Sequence, residues 1–177
     1  MRVLPTILGP LLALGGVGLT PRETPGPTVV LPRAEGLDIT VPATANLGAG
    51  FVGGAVTGQL GTVEVRDQRG PLNPNPWVVT VSATAFVSGA GGPSRTIARG
   101  QVSYWSGPVV RSTGGGVLVP GQPTQAQAVA LSVPREAFRK TLGNGNNTVS
   151  WVPSIRIAIP AGVVAGTYTG TITHSIA

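Results

Sequence analysis

Period-two alternation of apolar residues, in short runs cut by glycine or proline, is the feature that most constrains this chain. Leu37, Ile39 and Val41 alternate with Asp38 and Thr40. Trp77, Val79, Val81, Ala83 and Ala85 share one parity, with Thr80, Ser82 and Thr84 on the other. Val149, Trp151, Ile155, Ile157 and Ile159 repeat the pattern, as do Tyr168, Ile172 and Ile176 against a row of threonines. A strand with one face buried and one wet imposes a repeat of two, whereas a helix imposes 3.6. Shorter runs at Val102 and Tyr104, at Val117 to Val119, and at Val129, Leu131 and Val133 extend the pattern. Many short strands separated by turns predict an all-β fold: a single-domain antiparallel β-sandwich, Ig-like or jelly-roll-like.

The interruptions carry information of their own. The apolar phase changes at Gly61, which predicts a β-bulge. Pro153 falls inside the longest apolar run, and a residue that cannot donate to a ladder marks an edge, a kink or a change of sheet. Gly170 lies between Tyr168 and Ile172, which predicts a bulky neighbour packed where a side chain is missing. Asp67-Gln68-Arg69-Gly70-Pro71 and Gly143-Asn144-Gly145-Asn146-Asn147 predict turns. Residues 134–139 are the one helix signal, a single turn opened by Pro134.

Composition supports a folded chain rich in turns. It has 177 residues, with Gly 27, Pro 17 and 41% hydrophobic residues. That length suits one domain able to bury a core without disulfides, and Cys is 0. Charged residues are 10% and the net charge is +6, carried mostly by scattered arginines; Lys140 is the only lysine. With no basic stripe interleaved with aromatics, nucleic acid is not an expected partner. The positive charge suits solubility or an anionic envelope polymer.

Residues 1–18 read as a signal peptide. Met1-Arg2 forms the charged start, an apolar stretch from Val3 to Leu14 follows, and small residues Gly15, Gly16 and Gly18 mark the cleavage region. The run is too short to span a bilayer, so no transmembrane segment is expected in the mature chain. Residues 19–35, with Pro21, Pro25, Pro27 and Pro32, read as a linker arm; the apolar Val29-Val30-Leu31 offers the alternative of a strand lent to a neighbour. The sandwich domain then covers 36–177. Together these segments place the protein outside the cell or on its surface.

Within 36–177, the order of several pieces resembles WxL-domain-like bacterial surface proteins. They are Leu60 to Gly70, Trp77 to Phe86, Val102 to Gly107, Trp151 to Ile155 and Ala165 to Ser175. The third positions of the two Trp-x-Leu motifs are Val79 and Pro153, so the motifs are not strict and the chain looks like an actinobacterial-type relative. The resemblance implies a β-sandwich that attaches non-covalently to peptidoglycan, with Trp77 and Trp151 at the motif positions.

Little in the chain suits catalysis. Glu64 and Asp67 lie three apart on a strand and should face opposite ways, so they do not form the carboxylate pair of a glycosidase. His174 is the only histidine and shares parity with Tyr168 and Ile172, which reads as core. Without cysteine, and with one histidine, no zinc site is expected. No Gly-x-Ser-x-Gly elbow occurs, and Gly114-Gly115-Gly116 lacks the lysine and helix of a phosphate loop. No catalytic residue, metal or cofactor is expected. The ligand-contact candidates are Trp77, Tyr104, Trp105 and Trp151; Tyr104 and Trp105 are adjacent, so one of them should face outward. The expected partner is cell-wall glycan or another envelope polymer, with self-association as the second expectation.

Overall fold

The computed structural model describes residues 2–3, 36–71, 74–143 and 145–177. The arm at 19–35, and the leader apart from Arg2 and Val3, lie outside these residues. In chain order the strands are β1 (Arg2–Val3), β2 (Leu37–Thr40), β3 (Ala45–Asn46), β4 (Ala55–Gln59), β5 (Val63–Asp67) and β6 (Trp77–Ala83). There follow β7 (Phe86–Val87), β8 (Thr96–Ile97), β9 (Val102–Trp105), β10 (Val109–Gly114), β11 (Leu118–Pro120) and β12 (Val129–Ala130). The last five are β13 (Arg135–Lys140), β14 (Asn147–Trp151), β15 (Ser154–Ala158), β16 (Thr169–Gly170) and β17 (Ile172–Ile176). Only short 3-10 turns interrupt them among the described residues.

Four sheets make two layers. In the first layer, β10-β14-β5-β2 continues lengthwise into β12-β9-β15-β4; in the second, β11-β13-β6-β17 continues into β8-β7-β16-β1-β3. All pairings are antiparallel except β1 with β16. The continuity comes from strands broken at one level. In the first layer β4 passes to β5 at Gly61, β14 to β15 at Pro153 and β9 to β10 at Gly107. Leu60 N–H donates to Pro153 O at 2.8 Å across this break. In the second layer β6 passes to β7 and β16 to β17, and Thr84 and Thr171 hold the gap: Thr84 N–H donates to Thr171 O, and Thr171 N–H to Thr84 Oγ1, each at 2.9 Å.

Pro153 is therefore a change of sheet, one of the outcomes its position allowed. Gly61 does something different from the expected bulge. Its φ of 92° is left-handed backbone, and it ends one ladder and starts the next instead of adding a residue within one. The helical turn at 134–139 is also corrected: residues Arg135–Lys140 are strand β13, paired with β6 and β11. Its inward residues Phe138 and Lys140 keep strand parity once a register shift between Glu136 and Phe138 is allowed for. The run through Leu131 and Val133 stops early, because Val129–Ala130 is followed by a turn and Val133 is exposed.

The core lies between the layers. Trp77 and Phe138 of the second layer stack at 6.0 Å, and Phe138 stacks on Trp151 of the first layer at 4.6 Å. All three are essentially inaccessible, as are Val79, Val81, Ile155 and Ile157. The bulky neighbour foreseen at Gly170 is Phe86, whose ring atoms stand 2.8 Å from where a Cβ would be.

Candidate functional site

Strands β12, β9, β15 and β4 present their outer face at one end of the molecule. Parity decides what points out. Val102 and Tyr104 are buried, so Ser103 and Trp105 take the outer side, each partly exposed; Ile155 and Ile157 are buried, so Arg156 and Ala158 take the outer side too, with Ser154 on that side but covered. On β4 the buried Val56 leaves Thr57 and Gln59 outside. Register then fixes the rows. Trp105 lies opposite Ser154, which lies opposite Gln59; Ser103 lies opposite Arg156, which lies opposite Thr57.

The result is a mostly neutral face with one half-buried indole, one exposed guanidinium and a set of hydroxyls and amides. Arg156 makes no ion pair among the described residues, so its charge is available to a ligand. An aromatic face beside hydrogen-bonding groups is a common way to hold a sugar ring, and an arginine adds a fork for carboxylate or phosphate. Trp105 is thus the outward member of the Tyr104–Trp105 pair. Trp77, Tyr104 and Trp151 are core, each at most 1% exposed. Their rings bridge the layers, so none of the three offers a face that a polymer could reach. Arg156 was not among the sequence candidates; the parity of Ile155 and Ile157 was the available signal, since it sends Arg156 outward.

The ionisable groups of the interior are held in place by packing. Tyr104 Oη lies 3.2 Å from His174 Nε2, with ring centroids 5.7 Å apart. Burial pushes the His174 pKa down to about 4, so the imidazole is neutral at ordinary pH. Burial raises the Tyr104 hydroxyl above its ordinary range, against a weaker pull from the Trp151 indole. Glu64 points outward to Arg66 at 2.8 Å, while Asp67 points inward. The two carboxylates face opposite ways, as their spacing predicts.

Asp67 accepts a fork from Arg69, Nε at 2.9 Å and Nη2 at 3.0 Å, and a turn bond from the Arg69 amide at 3.2 Å. Burial works to raise its pKa, but the Arg69 hydrogen bonds and the Arg69 and Lys140 charges outweigh it and hold the carboxyl below its usual range. No cluster of three metal-binding side chains occurs among the described residues.

A separate cleft of about 460 Å³ opens beside the sheet end, lined by Phe51, Val52, Val56, Ile159, Val164 and Tyr168 among others. Phe51 is 89% exposed. Among the described residues no acidic or basic side chain lines this cleft, and the Tyr168 hydroxyl donates to Val164 O at 2.7 Å.

No family model matches the chain, and no curated protein matches it. Among solved structures it is similar to a family 123 glycoside hydrolase from Clostridium perfringens, studied for glycolipid glycan hydrolysis. The two are 16% identical with a TM-score of 0.36, and the match covers 72% of this chain. The chain spans 19% of that enzyme's length.

Proposed function

We propose that the protein is a secreted, non-catalytic cell-surface domain that binds the cell envelope, peptidoglycan or another wall polymer. It does so through the outer face of β9, β15 and β4. The observation that carries this reading is a partly exposed Trp105 and an Arg156 with no ion pair among the described residues, on one outer face, in a molecule whose other tryptophans are buried. The net charge of +6 favours approach to an anionic polymer. The histidine and the inward carboxylate have tyrosine and arginine partners, which leaves no acid and base facing one another at these positions among the described residues.

Co-sedimentation with purified cell-wall sacculi tests the reading. Trp105→Ala or Arg156→Gln should weaken retention about tenfold, equivalent to about 1.4 kcal/mol, with the melting profile kept cooperative. Undiminished retention in both variants would refute the face.

A second reading has one observation in its favour. Strands β3 and β16 are joined in their ladder through β1, a two-residue segment from the far N-terminus that pairs with both. If residues 1–18 are removed as a leader, that position is free for another strand, and the arm carries Val29-Val30-Leu31. The protein is then a structural subunit that assembles into a fibre or sheath by strand addition. Electron microscopy of a chain beginning at residue 19 decides it: filaments support assembly, and uniform monomers remove it.

A further inference from the structure

The chain's only lysine is buried. Lys140 ends β13 with 1% exposure, and its Nζ has no hydrogen-bond partner among the described residues. The nearest charge is Asp67, whose Oδ2 is 3.8 Å away. Both side chains are fully enclosed. An exposed ammonium gains full hydration, so enclosing one beside a carboxylate already forked by arginine is costly for stability alone.

The third member is Asn147. It lies directly opposite Asp67 in the β14–β5 ladder, so their side chains emerge side by side on the same inner face, with Cβ atoms about 5 Å apart. Asn147 is 4% exposed, and neither its Oδ1 nor its Nδ2 has a hydrogen-bond partner among the described residues. A buried amide with all its hydrogen-bonding capacity unused is rare in a folded protein. The backbone makes room for both side chains. A Cβ at Gly116 would stand 2.6 Å from Lys140 Cε, and one at Gly114 would stand 3.0 Å from Asn147 Cβ. Both glycines have φ in the left-handed region, at 124° and 81°. The neighbourhood is apolar, since Trp77 lies opposite Lys140 in the β13–β6 ladder.

The geometry points to a covalent modification site: an amide bond between Lys140 Nζ and Asn147 Cγ, formed by the folded chain itself, with Asp67 carrying the proton. The Lys140 ammonium gives a proton to the Asp67 carboxylate. The freed lone pair attacks Asn147 Cγ, and the Nζ–Cγ bond forms. Asp67 returns that proton to Nδ2, the Cγ–Nδ2 bond breaks to release ammonia, and the ammonia takes a second Nζ proton and leaves as ammonium. Lysine ammonium and asparagine amide become one substituted amide and one ammonium ion, so the step needs no oxidant and no co-reactant. Burial lowers the proton affinity of Lys140, against a raising pull from Asp67, which favours the nucleophilic form. Asp67, ionised at rest in its Arg69 fork, holds that proton only in transit and is not the acceptor in place of Asn147. The bond would join the two layers where β13 passes to β14, and it is independent of the wall-binding reading.

Peptide mapping of the purified full chain, digested with trypsin after denaturation, tests it. Lys140 and Asn147 fall in the same stretch, residues 140–156, between Arg139 and Arg156. The expected product is that stretch uncut after Lys140 and lighter by about 17 Da, the mass of ammonia, with no amine labelling at Lys140. Asn147→Ala should restore full mass and cleavage after Lys140. Wild-type chain that is cut after Lys140 at full mass overturns the proposal without needing any variant to fold. A 17 Da deficit with Lys140 still cut and labelled would mark a cyclised Asn144-Gly145, and it too overturns the bond. A deficit of about 18 Da, for water, with residues 67–69 attached, would assign Asp67 as the acceptor and overturn Asn147.

Discussion

Gly170→Ala tests whether the second layer is packed as tightly as its geometry implies. Its φ is not in the left-handed region, so alanine fits the backbone. Elsewhere such a change stabilises by about 0.4–1 kcal/mol, by restricting the unfolded chain. Here the sign should reverse. The new methyl would meet Phe86 Cδ2 and Cγ at 2.8 Å and Cδ1 at 3.0 Å. Restoring ordinary contact needs the ring to retreat by about 0.6–1 Å in a close-packed interior. Phe86 is fully buried and lies opposite the equally buried Ile97, so the ring has no free side to move into. Overpacking of this kind costs about 1–3 kcal/mol, leaving a net loss of about 1–2 kcal/mol.

Urea or thermal unfolding should show the loss as a fall of roughly 3–8 °C in Tm. Phe86→Leu supplies the cross-check. In that background the same glycine change should cost at least about 1 kcal/mol less, a coupling typical of residues in contact. Gly58→Ala is the control, because its close contact is the flexible Leu47 Cδ2 at 2.8 Å. Equal costs for Gly170→Ala with and without Phe86, or a gain in stability, would show that the ring contact does not set the sign.

Three other outcomes follow from the same packing. His174 has a folded pKa near 4, below its ordinary 6.5, so between these values the unfolded chain binds more protons. Its contribution is therefore complete above about pH 6.5 and fades as pH falls toward 4, by on the order of 2–3 kcal/mol; chemical unfolding from pH 7 to 4 should show a slope that His174→Gln flattens. Trp151→Ala removes the ring stacked on Phe138 and should cost about 3–5 kcal/mol, enough to be read by near-UV circular dichroism as loss of fixed packing. Trp105→Ala, by contrast, should cost under about 1.5 kcal/mol, since that side chain is only partly buried; a larger loss by calorimetry would place it in the core and against a binding role.

Alternation made the strands and their inward faces legible, because a two-residue period states which side chains a sheet must cover. Val149, Trp151, Ile155 and Ile157 share a parity, and all four are buried. Asp67 pairing with Arg69 was legible as turn chemistry, and Gly170 as a gap for a large neighbour. What did not show was whatever depends on which strand sits beside which. Residues 134–139 look like a helical turn because proline fits that start, yet the ladder with β6 and β11 makes them a strand. Register overrode local preference there. Gly61 read as a bulge because a phase change records only that alternation breaks; that Pro153 stands beside it in the neighbouring strand is a fact of topology.

The candidate surface was half legible for the same reason. Adjacent residues on a strand face opposite ways, so one of Tyr104 and Trp105 had to be outside, but the choice rests on the second layer. His174 of β17 comes up under β9 and takes the Tyr104 hydroxyl, which turns Trp105 outward. The same facing of layers brings Lys140 to Asp67, which has Asn147 opposite it in its own ladder, residues that period-two patterning alone would place without regard to one another. A chain with only 10% charged residues has few ions to stabilise a surface, so enclosing its one lysine is costly for solubility as well as for hydration. Stable enclosure calls for a compensation that hydrogen bonds do not supply here, since Nζ has no such partner among the described residues. Conversion of the ammonium to a neutral amide removes the buried charge and uses the idle asparagine in one step.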